Sequence, residues 1–366
     1  MKPNEALSRQ LAEVRDQIDA IDAHLLALLN QRAACAQRVG AIKAEHGEAD
    51  VIYRPEREAQ VLRRIREMNR GPLPDEGVVR FFREIMSACL SLERPLGVAF
   101  LGPLGTFSES AAVKHFGHAA RLFPQDSIDG IFRVVEARHA DYAVVPTENS
   151  TEGAIGRVMD LLMTTPLRIC GEVLMRIQQH LLSRETALEK ITKVYSHAQS
   201  LAQCHEWLSR MLPQAQRISV GSNAQAAQMA AGDEAGAAAI AGDAAAERYG
   251  LPRLAENIED EPNNTTRFLV LGHQDAGVSG RDKTSLIMSA PNRTGSLVDL
   301  LMPFTEHGVS MTRLESRPAR HTLWEYVFYV DIDGHRQDAN VAQALTALEQ
   351  RAAYLRVLGS YPAALY

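Results

Sequence analysis

Apolar or small side chains recur at Leu7, Leu11, Val14, Ile18, Ile21, Leu25, Leu28, Cys35, Val39 and Ile42. The steps alternate three and four, which is the heptad seam of one long amphipathic helix. Arg32 occupies a seam position where a coiled coil wants Leu, and Arg15 and Lys43 each lie one residue past one. His46-Gly47 breaks the pattern, and a second helix follows Pro55, a residue suited to a first helical turn. Gly71-Pro72-Leu73-Pro74 ends it, and a third helix runs from about Pro74 to Leu92. Three helices with one unusually long member make a poor monomer, so the pattern predicts an intertwined all-α dimer.

Past Arg94-Pro95-Leu96-Gly97 the texture changes to short apolar runs separated by helical stretches. Val98–Leu101, Tyr142–Val145, Lys193–Tyr195, Ile218–Val220, Ala237–Ile240 and Phe268–Leu271 read as buried strands. This predicts an α/β unit with largely parallel sheet, arranged as two lobes around a cleft at the strand ends. Gly272 to Gly280 is a second junction. The remainder reads strand (Thr284–Ser289), helix (Gly295–His307), strand (Val309–Glu315), strand (Trp324–Asp331), helix (Asp338–Gln350), strand (Leu355–Ser360). That βαββαβ order predicts an α+β, ferredoxin-like module. The chain therefore divides at 1–94, 96–273 and 282–366.

Composition narrows the classes. The 366 residues suffice for two or three cores, and a net charge of −6 gives no electrostatic support for nucleic-acid binding. The four cysteines, Cys35, Cys89, Cys170 and Cys204, are scattered without metal-ligand or redox spacing. No stretch approaches the length of a membrane span and Met1 to Gln10 holds no apolar signal core, so a cytoplasmic location is expected.

The cations of the first helix call for an anion, because a buried charge without a partner is costly. Arg15 and Lys43 lie roughly 40 Å apart along one helix, so a small ligand touching both must draw them from two chains. Taken singly, Arg15, Arg32, Lys43, Arg57, Glu58 and Glu93 also read as surface charges with one snorkelling Arg. As a set, over residues 7 to 93, their spacing resembles the AroQ-type chorismate mutase domain. The resemblance implies that Arg32, Arg57 and the partner's Arg15 clamp the two carboxylates of chorismate, that Lys43 donates to the ether oxygen and that Glu58 holds the ring hydroxyl. Such a pericyclic rearrangement needs confinement and charge complementarity, with no nucleophile. Two positions depart from the pattern: Arg54 stands where some relatives are acidic, and Glu93 where some carry Gln. A carboxylate donates only when protonated, so mutase activity is expected to fall at high pH and Glu93→Gln to flatten the profile.

Four polar strings sit at strand ends of the middle region: Gly102 to Ser108, Val145 to Ser150, Tyr195 to Gln199 with Gln203 beyond, and Asn263 to Phe268. Each alone reads as capping or turn chemistry, Thr106 and Glu109 forming a capping-box pair. Together they point to one cleft, and they are similar to prephenate dehydratase over residues 97 to 272, Thr-Arg-Phe at 266–268 being a family hallmark. The resemblance implies that Thr266 assists loss of the ring hydroxyl and that Arg267 is a carboxylate partner. Asn149, Ser196 and Gln203 match polar residues lining the site, with Thr106, Ser108, Glu148 and His197 as further substrate contacts. Glu148 is a candidate for proton transfer and equally a structural carboxylate.

The last module resembles an ACT domain. Asn292 to Leu297 corresponds to the family's Gly-Ala-Leu loop, here Gly295-Ser296-Leu297, and Glu315-Ser316-Arg317-Pro318 to its second phenylalanine-binding motif. The three resemblances in this order imply a homodimeric bifunctional enzyme, taking chorismate to prephenate and prephenate to phenylpyruvate under inhibition by L-phenylalanine. They imply no metal or organic cofactor. Two rivals are a non-catalytic small-molecule regulator and a monofunctional dehydratase carrying a degenerate mutase region.

Overall fold

The computed structural model describes residues 3–47, 52–233, 235–291, 293–318 and 326–365, with side chains from Leu7 onward. The long helix is α1 (Pro3–Glu45), followed by α2 (Pro55–Met68) and α3 (Asp75–Ser91). α1 ends beside Gly47 at φ +75°, a left-handed conformation that glycine adopts without strain. α2 and α3 pack through Leu62, Val79 and Met86. The seam of α1 stays exposed in the single chain: Ile21 is 58% and Ile42 54% accessible. A continuous apolar stripe of that length in water is the mark of a missing partner surface.

The middle region forms two lobes. The first contains β1 (Gly97–Leu101), α4 (Phe107–Phe116), β2 (Arg121–Gln125), α5 (Ile128–Glu136), β3 (Tyr142–Asn149), β4 (Gly153–Ala154), α6 (Gly156–Leu162) and β5 (Arg168–Arg176). The second contains β6 (His180–Ser183), β7 (Lys193–His197), α7 (Ala198–Gln203), α8 (His205–Met211), β8 (Gln216–Val220), α9 (Asn223–Gly232), β9 (Ala237–Ala241), α10 (Asp243–Tyr249) and β10 (Arg253–Ala255). The chain then returns to the first lobe as β11 (Thr265–Gly272). Strand order is β2-β1-β3-β11-β5 in one sheet, with β4 on β3, and β10-β6-β9-β7-β8 in the other.

Both sheets are mixed, which corrects the expectation of largely parallel pairing. β1 runs parallel to β2 and β3, while β11 is antiparallel to both β3 and β5. In the second lobe β7 is parallel to β8 and β9, but β6 is antiparallel to β9 and β10. The cause is the double crossing of the chain between lobes: the segments after β5 and before β11 run side by side in opposite directions.

The last module, β12 (Asp282–Ser289), α11 (Ser296–Glu306), β13 (Met311–Pro318), β14 (Tyr326–Asp333), α12 (Ala339–Glu349) and β15 (Tyr354–Pro362), has the expected βαββαβ order. Its sheet is antiparallel, β13-β14-β12-β15. Asn292 and Trp324 lie outside the described residues. One face of this sheet packs on the first lobe. Ile287, Tyr329, Leu358 and Tyr361 share a core with Ala143, Val145, Leu269 and Leu271. The opposite face of the first lobe's sheet buries Phe100, Val144, Phe268 and Val270 against α4 and against Ile52 and Tyr53.

Tyr53 also meets His115 of α4, whose Nε2 lies 3.1 Å from the phenol oxygen. Burial, with Arg83 nearby, pushes the His115 pKa down to about 3. A histidine whose folded pKa is depressed binds fewer protons than in the unfolded chain, so stability falls as pH drops from about 6.5 toward 3. His115→Gln is therefore expected to lose less melting temperature than the wild type between pH 7 and pH 4. An identical slope in both proteins would contradict this.

Candidate functional site

In the helical region, α1 and α3 approach where Gly40 lacks a side chain: a Cβ there would lie 2.9 Å from Cγ of Glu93. This brings Lys43 Nζ to 3.7 Å from Glu93 Oε2, and the ammonium also donates to the Ile52 carbonyl at 3.2 Å. Arg32 is half-buried on the same helix, and Arg57 is exposed on α2. Arg15 is exposed, seventeen residues before Arg32 along α1. Among the described residues the geometry gives none of these three arginines an ion-pair partner. They are uncommitted cations beside an apolar stripe.

Glu58 departs from the position expected of a residue beside Arg57. Its carboxylate is 3.4 Å from Arg83 Nε and faces a cavity lined also by Tyr53, Lys114 and Cys170. Burial raises its pKa, with Arg83 opposing. Consecutive residues of a helix point about 100° apart, so α2 sends Arg57 out and Glu58 under the helix toward the α/β body.

In the middle region two polar clusters converge from the two lobes. On the first, Asn149 Nδ2 donates to Thr266 Oγ1 at 2.9 Å and to Asn264 Oδ1 at 2.7 Å. Asn149 Oδ1 accepts from the Thr151 amide at 3.0 Å and the Thr151 hydroxyl at 2.6 Å. All four hydrogen-bonding positions of this buried amide are thus used, which fixes it. Thr266 accepts from Asn149, so its own O–H is left to donate elsewhere. The Nδ2 group of Asn264 is buried without a partner among the described residues. A β-bulge sets the pairing: Arg267 faces Glu148 and Phe268 faces Pro146, leaving Thr147 as the extra residue on β3.

On the second lobe, Ser196 is fully buried and its hydroxyl lies 3.0 Å from both the Ile240 carbonyl and Asn223 Oδ1. Asn223, which sequence reasoning missed, is the hub. Its Oδ1 also accepts from the His197 amide at 3.0 Å, and its Nδ2 donates to Ser200 Oγ at 2.8 Å. Gln179 donates to Ser200 at 3.0 Å. Ser222-Asn223 directly follows a predicted strand, which is the same signal that marked the other four strings. His197 caps α7, its ring accepting from the Gln199 amide at 3.3 Å. Gln203 reaches across the lobes to Glu152 at 3.2 Å. Thr106 caps α4, accepting from the Glu109 amide at 3.4 Å, and Ser108 is buried in the first turn. The lobes are in close contact: a Cβ on Gly242 would come within 2.6 Å of Phe107.

Two expected cleft residues lie elsewhere. Arg267 is on the far face of the sheet, held at 2.9 Å by Glu172 and paired with Asp331, with Tyr361 Oη accepting at 2.8 Å. Burial opposes its charge, but Tyr361, Asp331 and Glu172 together raise its pKa. Each of its three guanidinium nitrogens is engaged on that far face, away from the cleft. Glu148 likewise pairs with Arg313 of β13 at 2.7 Å, on the face turned toward the last module. The reason is the period of two: adjacent residues on a strand face opposite sides, so Thr266 and Asn149 look into the cleft while Arg267 and Glu148 look away.

In the last module, Gly295 begins α11 at φ +82°, and Ser296 spends its hydroxyl on the carbonyls of Pro291 (2.6 Å) and Arg293 (2.8 Å). Leu297 is partly exposed. On β13 the half-buried Arg313, Glu315 and Arg317 share one face, and Ser316 is on the other. Arg317 lies 3.4 Å from Asp160 of α6, so it engages the chain's own first lobe.

All four cysteines are free, Cys35 being the exposed one. Among the described residues no helix is long and apolar enough to cross a membrane.

Comparison with known proteins covers each region in turn. Family models match for chorismate mutase type II at residues 14–94, prephenate dehydratase at 98–276 and the ACT domain at 284–350. A bifunctional chorismate mutase/prephenate dehydratase of Neisseria gonorrhoeae is 55% identical over 364 residues, 99% of either chain. One from Stutzerimonas stutzeri is 50% identical over 360 residues, 97% of this chain and 98% of its own. Among solved structures, a prephenate dehydratase from Arthrobacter aurescens in complex with L-Phe superposes with a TM-score of 0.67 at 36% identity, covering 72% of this chain and 89% of its own.

Proposed function

The chain belongs to the family of bifunctional chorismate mutase/prephenate dehydratases, and from that premise we propose how its residues divide the work. It is an enzyme with both activities and with feedback inhibition by L-phenylalanine. Its helical region is not a degenerate remnant: the relatives named for both activities match it over their whole length. Residues 1–94 rearrange chorismate, 96–273 dehydrate prephenate and 282–366 sense phenylalanine. No DNA-binding or membrane element enters this reading, and the enzyme works in the cytoplasm.

The mutase site is completed by a second copy of the chain. The exposed seam of α1 is the contact surface, and Arg32, Arg57 and the partner's Arg15 hold the two carboxylates of chorismate. The Lys43 ammonium is the donor nearest to hand for the breaking ether C–O bond, with Glu93 beside it. Glu58 is kept as a contact of the ring hydroxyl only if substrate turns it away from Arg83. Glu93→Gln places an amide donor at the same point and is expected to keep chorismate turnover within about tenfold of the wild type. Complete loss of turnover in that variant would contradict a donor role for this position.

In the dehydratase cleft the observation that carries the reading is the Asn149–Thr266 contact. It fixes the threonine oxygen as an acceptor and so turns its O–H toward the substrate's leaving hydroxyl. The C–C bond to the ring carboxylate breaks as carbon dioxide departs. Its electron pair enters the ring, the C–O bond breaks, and the departing hydroxide takes up a proton as water. The remaining polar groups of the substrate are assigned to the strand-end residues of the two lobes, Asn264, Thr106 and Ser108 on one and Ser196, His197 and Gln203 on the other. Phenylalanine binds at Gly295–Leu297 and Glu315–Arg317, where the α11 N-terminus offers free N–H groups to its carboxylate. The direct experiment is to supply chorismate and follow phenylpyruvate absorbance with and without L-phenylalanine. Phenylpyruvate that forms and is suppressed by phenylalanine is the expected result. Chorismate left unchanged, or consumed only to prephenate, would overturn it.

A further inference from the structure

We propose that Glu148 and Arg267 are positioning residues, through which the C-terminal sensor sheet sets the Asn149–Thr266 pair from behind. This deepens the dehydratase reading above and rests on it. The argument begins with register. Thr266 stands opposite Asn149 across β11 and β3, and Arg267 opposite Glu148. The two pairs are therefore successive rungs of one ladder, one facing the cleft and the other facing the sensor.

The rear rung is gripped by three different strands of the sensor sheet. β13 supplies Arg313, 2.7 Å from Glu148. β14 supplies Asp331 to Arg267, and β15 supplies the Tyr361 hydroxyl at 2.8 Å. Glu172 of β5 is shared between Arg267 at 2.9 Å and Lys283 of β12 at 2.8 Å. Ser285 of β12 completes the cluster, with its hydroxyl on Asp331 and 2.7 Å from Tyr361. Arg267, Glu172, Asp331 and Tyr361 are mostly buried, so solvent screens that part of the cluster little, while the Glu148 side chain is 36% exposed. Three sensor strands thus reach two residues that each adjoin a cleft residue, and the fourth, β12, braces their partners Glu172 and Asp331.

The connection to the ligand end runs along one strand face. Arg313, Glu315 and Arg317 are the inward residues of β13. Arg317, in the phenylalanine motif, ties to Asp160 of α6, and Arg313, four residues back, ties to Glu148. A shift of β13 along or away from the first lobe moves Glu148, and with it the backbone that carries Asn149. The bulge at Thr147 makes that point of β3 the most easily re-aimed. Inhibition then needs no contact between phenylalanine and the cleft. It needs only that phenylalanine favour a β13 position in which the Asn149–Thr266 contact is lost, which is a difference in affinity between two states.

The test uses the full-length enzyme with Arg313→Met, Arg313→Lys and Asp331→Asn, none of which touches the cleft. Mutase activity of the same chain reports that each variant is folded and assembled. Arg313→Met is expected to bind phenylalanine within about threefold of the wild-type Kd. Yet saturating phenylalanine should leave well over half of its dehydratase activity. Its basal kcat should fall by about tenfold with KM for prephenate within about twofold, and Arg313→Lys should restore both in part. Asp331→Asn should show the same split between kcat and KM. Complete inhibition of Arg313→Met at saturating phenylalanine would overturn the proposal, as would losses that appear in KM alone. Thr266→Val separates the two readings. If it stays active, the cleft assignment fails. If it is inactive while Arg313→Met behaves as wild type, only the positioning role fails.

Discussion

Thr266→Val is expected to lower dehydratase turnover by about 10²–10³-fold, the usual cost of removing one well-placed donor from a reacting oxygen, while leaving mutase turnover unchanged. Valine nearly matches threonine in shape, so the buried site at 8% exposure keeps its volume. What disappears is the O–H that the Asn149 contact leaves free. Some melting temperature is also lost, because Asn149 Nδ2 then faces a methyl group. Thr266→Ser keeps the hydroxyl and is expected to stay within about tenfold of wild type, since what it loses is one buried methyl and some rotamer restriction. Kinetics with prephenate for the three proteins would check this, and a valine variant with wild-type kcat would remove Thr266 from the chemistry. The KM for prephenate should change less than kcat, because the interaction is made most strongly as the C–O bond breaks.

Arg32→Ala is expected to cost mutase activity at least as much, about 10³-fold or more in kcat/KM, because a bidentate carboxylate contact supplies orientation as well as charge. Lys43→Ala should act mainly on kcat, since charge on the ether oxygen grows only as the bond breaks. Neither change should destabilise the fold greatly. Arg32 has no ion pair to lose among the described residues, and Lys43 gives up one contact at 3.7 Å and one carbonyl at 3.2 Å. Removing Lys43 also leaves Glu93 without its neighbour, so Lys43→Met/Glu93→Gln isolates the effect on chemistry from that of a stranded carboxylate. Dehydratase activity in the same chain is the internal control. Chorismate turnover within tenfold of wild type in Arg32→Ala would contradict the assignment.

How much of this was legible depends on which interactions are local. The seam of α1 could be read because its period is a property of one helix, and its exposure follows from having no partner in the same chain. The strand-end polar strings could be read because each belongs to a single turn. Asn223 carries the same signal, just past the end of a strand run, yet its role as a hub depends on residues 23 to 44 positions away. The direction of strand pairing was not legible, because β5, β6, β10 and β11 owe their antiparallel places to a double crossing between lobes. Arg267 and Glu148 were assigned to the cleft by motif alone, although the alternation of a strand already separates them from Thr266 and Asn149. Their partners, Asp331 and Arg313, lie 64 and 165 residues away, and no local pattern names them. Glu58 is the helical version of the same lesson: adjacency to Arg57 in sequence does not place both on one face.

The central claim is that two copies of the chain share each mutase site. It is tested most directly by mixing Arg15→Ala and Arg32→Ala chains in equal amounts, after unfolding and refolding together. Each variant alone is expected to be nearly inactive as a mutase. In the mixed dimers one site carries both substitutions and the other carries neither, so about a quarter of the wild-type activity should return, as symmetry requires of a shared two-fold site. A mixture no more active than its two components, or an Arg15→Ala protein that turns over chorismate at the wild-type rate, would contradict the account.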